Sequence, residues 1–272
     1  MKTTFLILAA ALFGTIQFAT AVEPDVHLHV STKWKDCSFQ IDPSLTQDQW
    51  KKFSKEAGEV IYFRPLIDSK PMGRGKFELS VLQWNTRIDE TSDAWNNTFV
   101  HPDSEHWLIG GEQLPLPGLA FRAGVSKNID AGIYWTKNFD ANYGAWGAQV
   151  QYNFLNDSSG HWAASSRATV SSLYGPDDLN LRVYGLDLNA SKEFRIHYPW
   201  LLIAPYAGLS AGVAHAHEKT EVVNLKDETH MDFRGTIGTV LKISIVRLGV
   251  EYNVAEVNSF SYKLGLAINI KH

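Results

Sequence analysis

The chain has 272 residues, of which 44% are hydrophobic and 12% aromatic, and a formal net charge of −4. This mild acidity excludes a broadly basic surface, and with it a nucleic-acid partner. Cys37 is the single cysteine, which rules out an intramolecular disulfide and a thiolate metal cage.

The first elements form an export signal. Lys2 supplies a positive n-region, Phe5 to Phe13 is apolar, and Ala19-Thr20-Ala21 is a small-x-small cleavage site. A signal peptide over 1–21 is predicted, with Val22 as the mature start. The apolar stretch is well short of the ~20 residues that a membrane-spanning helix requires. Residues 22–72 form a second region, a lead followed by a short helix. Thr46 and Gln49 make a T-x-x-Q capping box, and Leu45 and Trp50 occupy the hydrophobic-staple positions. Trp50, Phe53 and Ala57 share one face, Gly58 suits a C-terminal stop, and Val60-Ile61-Tyr62-Phe63 reads as a strand. The apolar stripe of the helix needs a partner. Either a barrel lumen, with Trp50 and Phe53 as a plug, or the neighbouring strand would serve.

Residues 73–272 are predicted to be a barrel. Strands are expected at 76–84, 117–126, 129–137, 144–155, 161–173, 181–192, 200–214, 230–241, 246–254 and 258–270. Their residues alternate by parity. Val150, Tyr152 and Phe154 form an oily set against Gln149, Gln151 and Asn153. Leu248, Val250, Tyr252 and Val254 oppose Arg247, Gly249, Glu251 and Asn253, and Leu264, Leu266 and Ile268 oppose Lys263, Gly265 and Ala267. Parity alone fits either a transmembrane barrel, oily side out, or a soluble lipocalin-like barrel, oily side in. Three features favour the membrane: tryptophans near strand ends (Trp84, Trp135, Trp146, Trp162, Trp200), glycines on the polar parity, and alternation of short turns with longer loops. The mean hydropathy of −0.18 does not oppose this, since such strands average an oily and a polar face. With an even strand count, both termini are placed on the short-turn, periplasmic side.

The polar parity carries charges of both signs: Arg122, Arg167, Arg234, Arg247 and Lys263 against Glu78, Asp187, Asp232 and Glu251. In a narrow lumen these either pair into a side-chain plug or line a hydrophilic conduit. His215 and His217, with Glu218 and His230 nearby, are a weak candidate for a divalent cation. His230-x-Asp232, opposed by Asp89 and Glu90, suggests an omptin-like rim peptidase as a third possibility, and His161 with Ser165 or Ser166 is a weaker hydrolase arrangement. No catalytic residue and no cofactor is assigned. The loop 85–116, with Trp95, Pro102 and Trp107, is able to fold inward as a constriction or outward as a binding surface.

Several segments taken in order resemble an uncharacterised family of Gram-negative outer-membrane β-barrels. They are Leu45 to Gly58, Lys70-Pro71-Met72-Gly73 leading into Gly75-Lys76-Phe77-Glu78-Leu79, Leu116-Pro117-Gly118-Leu119, Tyr152-Asn153-Phe154, Tyr184-Gly185-Leu186-Asp187-Leu188 and Ala204-Pro205-Tyr206-Ala207-Gly208. The resemblance implies an outer-membrane location and a barrel preceded by a short helical segment, and it brings no catalytic residues. The expected fold is an all-β, antiparallel, up-and-down transmembrane barrel of about ten strands. The expected role is passive or gated passage of small solutes, the alternative being a closed structural or surface-binding barrel. Expected partners are outer-membrane lipid, the outer-membrane assembly machinery and a small solute, for a monomer.

Overall fold

A computed structural model describes residues 38–39, 41–89, 92–100, 113–137, 143–157, 159, 161–196, 200–220 and 223–269. The predicted signal and lead up to residue 37, and Glu90, Pro102 and Trp107, lie outside them. Ten long strands follow one another: β1 Lys76–Arg87, β2 Gln113–Gly124, β3 Ile129–Lys137, β4 Gly144–Asp157, β5 Trp162–Tyr174, β6 Leu179–Lys192, β7 Leu201–Glu218, β8 Glu228–Ile243, β9 Val246–Val254 and β10 Ser259–Asn269. Each pairs antiparallel with its sequence neighbours, and β10 closes the ring onto β1 from Ser259↔Thr86 to Asn269↔Lys76. The result is a closed up-and-down barrel, which leaves no free edge in a medium unable to hydrogen-bond it.

The faces divide as alternation demands. Tyr152, Leu248 and Leu264 are 50%, 39% and 49% exposed on the outer wall, whereas Gln149 and Lys263 are each 4% exposed inside. Leu209 and Phe233 stand 72% and 71% exposed in the same outer belt. An apolar belt of this extent is suited to acyl chains and not to water, so the oily parity faces lipid. Trp135, Trp162 and Trp200 also lie on the exterior, but Trp84 does not. It points inward and is fully buried, because its parity matches Leu82 and not Val81.

Predicted and observed strands differ mainly at their ends. Gln113 to Leu116, expected in the first loop, belong to β2, and β7 runs on to Glu218. Short turns at one end join β2 to β3, β4 to β5, β6 to β7 and β8 to β9. The β6–β7 connection adds a two-residue strand, Phe194–Arg195, on β7. The opposite end carries the two longest connections, β1–β2 and β7–β8, the first of which includes a four-residue helix α2, Asp93–Asn96.

The helix α1 spans Gln47–Ile61. Its capping box forms as read, with Thr46 N donating to Gln49 Oε1 at 2.8 Å and Gln49 N to Thr46 Oγ1 at 3.4 Å. Gly58 does not end it. The helix continues for three more residues, and Gly58 instead permits close approach to β7, since a Cβ there would lie 2.6 Å from Ala214 Cβ. Val60 to Phe63 is correspondingly no strand; Val60 and Ile61 are helical, and the chain extends from Tyr62.

The mature N-terminus, expected on the short-turn side, lies outside the described residues, and the first described part of the N-terminal region is at the other end. Ser38–Phe39 pairs with Phe99–Val100, and Ile41 N donates to Asp178 Oδ2 at 2.9 Å, so this part sits at the long-loop end. From there α1 descends into the lumen, residues 62–72 continue to the short-turn end, and β1 starts back up. Gly73 and Gly75, both at φ 79, make that reversal.

Candidate functional site: a plugged lumen

Two different walls receive the plug. At the long-loop end a large part of the inward wall is apolar: Leu82 and Trp84 on β1, Leu114 and Leu116 on β2, Leu181 and Val183 on β6, Ala214 and Ala216 on β7. Trp50, Phe53, Ala57, Val60 and Ile61 of α1 are buried in the same cluster. Trp95 of α2 closes it from the loop, edge-on to Phe53 at 5.0 Å, with its indole N–H donated to Glu56. A helix satisfies its own backbone along its middle and leaves its first N–H groups, one met here by Thr46, and its last carbonyls open. Those are met individually. Arg64 Nη2 donates to Glu59 O at 2.5 Å, Trp84 Nε1 to Val60 O at 2.9 Å, and Tyr134 Oη to Ile61 O at 3.2 Å. The cationic end of Arg64 also suits the negative end of the helix dipole.

Below Ile61 the chain is extended, and its peptide groups need partners in the wall. The wall is polar there. Ser69 N donates to Ser191 Oγ at 3.1 Å, Asn153 Nδ2 to Ser69 O at 2.8 Å, and Met72 N to Asp130 Oδ2 at 3.1 Å. Tyr62 fits against a glycine pair, Gly185 and Gly212, which face each other across β6 and β7. A Cβ at Gly185 would lie 2.3 Å from Tyr62 Oη.

The inward charges are placed as follows. Arg167 Nε meets Asp187 Oδ2 at 2.7 Å, and Tyr62 Oη donates to Asp187 Oδ1 at 2.7 Å. Arg122 meets Asp130 at 2.5 Å and Lys263 meets Glu78 at 2.7 Å. Arg234 is bonded to Glu59 of the helix and lies over the Tyr62 ring, 3.5 Å from its centroid. Glu251 accepts from Tyr206 Oη at 2.6 Å and Asn253 Nδ2 at 2.9 Å. Arg247 differs, donating only to the turn carbonyls of Ser244 and Val246. Asp232 is half-buried on the same parity as Arg234, toward the long-loop end.

Asp130, Gln151, Arg167, Asp187, Ser210 and Arg234 are successive register partners across six strands, forming one polar row around the wall. Sequence reasoning missed Asp130 and Lys242, although the alternation of Asp130, Gly132 and Tyr134 and of Val240 and Lys242 marked them as inward. Glu59, Tyr62, Arg64, Asp68 and Lys70 come from the plug, where no strand period exists to signal them. Lys242 joins Asp68 at 2.5 Å and Glu193 at 2.6 Å, and Lys70 also bonds Glu193. Burial alone would raise the Glu193 carboxyl, but Lys242 and Lys70 outweigh it and hold it below the ordinary carboxylate range. At the other end Glu256, bonded at 2.8 Å, raises the Lys55 ammonium.

Of the histidine arrangements, His215 and His217 share Asp227, His215 Nε2 at 3.9 Å, while Glu218 and His230 stand apart from them. His215 and His217 project outward, where Asp227 lies 2.6 Å from His217 Nδ1, while Glu218 is buried on the opposite parity and His230 sits 3.5 Å from Glu228. Asp89 borders Arg87, Glu56 and Glu256 at the rim. Ser165 is inward and buried, and His161 is exposed in the β4–β5 turn.

No protein-family model matches the chain, and no curated protein sequence matches it. Similar solved structures are barrels. The attachment invasion locus protein Ail of Yersinia pestis is 13% identical, with a TM-score of 0.32 over 72% of this chain and 99% of that one. The beta domain of the Bordetella autotransporter BrkA is 12% identical, with a TM-score of 0.39 over 72% and 100%. The outer membrane protease OmpT from Escherichia coli is 6% identical, with a TM-score of 0.34 over 72% and 96%. The named roles of these proteins differ, and none is transferred to this chain.

Proposed function

We propose that the protein is a closed barrel of a Gram-negative outer membrane, exported by its signal sequence, that acts through its long-loop face and not as a passive pore. The observation that carries this reading is the filled lumen. α1 occupies the outer half and residues 62–72 the base, tied by Arg234 to Glu59, Tyr62 to Asp187 and Lys242 to Asp68. Passive passage of small solutes would require a continuous wet path beside this plug, and the buried ion pairs and apolar packing oppose one. The long-loop face is also held together as a unit. The Ser38–Phe39 ladder and Asp42 N donating to Asn97 O at 2.9 Å, Ile41 N donating to Asp178, and Gln47 Nε2 donating to Glu228 at 2.6 Å connect the start of the plug to three loops. Such a pre-organised surface suits recognition of a ligand or partner at the cell exterior.

Planar-bilayer recording tests the reading. Refolded protein, shown to be folded by heat-modifiable mobility, is expected to be electrically silent, and excision of residues 41–72 is expected to produce discrete conductance steps. Steps from the intact chain would overturn the closed-barrel proposal and restore passage of small solutes.

A further inference from the structure

At the short-turn end the barrel encloses a cavity of about 480 Å³ beneath the plug. Its wall carries seven cationic side chains, Lys70, Lys76, Arg122, Arg195, Lys242, Arg247 and Lys263, against three carboxylates, Asp68, Glu78 and Glu193. Every carboxylate is already engaged: Asp68 and Glu193 by Lys242, Glu193 again by Lys70, and Glu78 by Lys263. Asp130 adds one more negative charge behind Arg122. Three cations exceed the carboxylates even so, in a chain whose overall charge is negative.

Two of the guanidinium groups that line this space keep donor capacity beyond their present partners. Arg122 is 6% exposed and lines the cavity, yet its Nε has no hydrogen-bond partner. Arg247 spends one nitrogen on two backbone carbonyls and meets no carboxylate among the described residues. A concave surface with surplus positive charge attracts an anion, and guanidinium forks match the oxygens of a phosphate or similar oxyanion. The rim adds a second feature. Ile245 and Ile268, 54% and 56% exposed, border the cavity and continue onto the lipid-facing wall, with Leu202 and Met72 just inside. Charge below and oil at the lip suit an amphiphile.

We infer that this basin binds a phosphate-bearing anion from the periplasmic side, through Arg122, Arg195, Lys76 and Arg247. The shared chemistry is the phosphate oxyanion, and its source is either an anionic phospholipid headgroup or a free phosphorylated solute. The inference is independent of whether the lumen above conducts, because the basin lies below the plug.

The experiment uses the full chain refolded in a zwitterionic detergent, with two probes: inorganic phosphate by titration calorimetry, and phosphatidylglycerol retained in native mass spectrometry. The double variant Arg195→Gln with Arg247→Gln removes two cations that hold no carboxylate, so the fold is expected to survive. Lys127→Gln, in the nearby β2–β3 turn, is the charge control. Heat-modifiable mobility is recorded for each variant. Retention of phosphatidylglycerol that falls at least tenfold in the double variant, and not in the control, identifies a lipid headgroup. Phosphate binding with the same dependence, and no preference for anionic lipid, identifies a free solute. Absence of binding by both probes, or equal loss in Lys127→Gln, would overturn the assignment.

Discussion

The two halves of the lumen are lined by the same strands on the same parity, yet they act as different solvents. One side of the wall around α1 is Leu, Val, Ala and Trp, with Arg234 answering Glu59 on the other; around residues 62–72 the wall is mostly Ser, Asn, Asp and Arg. The difference follows the backbone of the plug. A helix completes its own hydrogen bonds and accepts an apolar wall, except at its final carbonyls, where Arg64, Trp84 and Tyr134 stand. An extended thread has open donors and acceptors and needs a wall able to answer them. The secondary structure of the plug thus dictates which residues the barrel must carry at each depth.

The largest expected effect breaks the lower half. Asp187→Ala leaves Arg167 and Tyr62 without their common partner and is expected to cost about 3–5 kcal/mol, read from urea unfolding followed by tryptophan fluorescence. Replacing Arg167 and Asp187 together by leucine is expected to cost less than Asp187→Ala alone, since no buried charge is then stranded. A double variant as damaging as the single one would show that the pair contributes more than mutual neutralisation.

The next effect tests the close approach in the upper half. Gly58→Val must displace either α1 or Ala214 and is expected to cost about 1–3 kcal/mol, with a raised midpoint if the interface instead absorbs the methyls. Thr46→Ala removes one arm of the capping box and is expected to cost about 1 kcal/mol in the same assay. Acid separates the halves without mutation. The Glu193 carboxyl is lowered in the folded protein, so its contribution is complete above the ordinary carboxylate pKa and disappears as pH falls through the depressed value. Amide exchange near Ser69 is then expected to quicken on acidification before exchange within α1. Simultaneous loosening would place the acid-sensitive tie elsewhere. The smallest effect belongs to the exposed Lys55–Glu256 pair, where Glu256→Gln is expected to change stability by less than about 1 kcal/mol.

Much of the barrel was legible because its signals are local. Tyr152 and Gln151 declare opposite faces through nothing more than period-two geometry, and the Thr46–Gln49 box declares a helix start from four residues. The inward parity of Arg122, Arg167, Asp187 and Lys263 was equally readable. Partners outside that set were less so: Asp130, which meets Arg122, was available to the same alternation, whereas Glu59 and Asp68, which meet Arg234 and Lys242, lie in the plug, where no strand period marks a facing. Trp84 misled in the other direction, since a tryptophan near a strand end fits a lipid interface as well as a helix-packing core.

The amino-acid order by itself determined the ring of ten strands and which side of each meets lipid, because a two-residue repeat and the cost of charge in hydrocarbon act on every strand alone. Only the tertiary structure decided that residues 41–72 run down the interior from the long-loop end, that Gly185 and Gly212 make room for Tyr62, and that the base retains surplus positive charge. Those outcomes depend on contacts between positions more than a hundred residues apart, such as Tyr62 with Asp187, whose energies no nearest-neighbour pattern records.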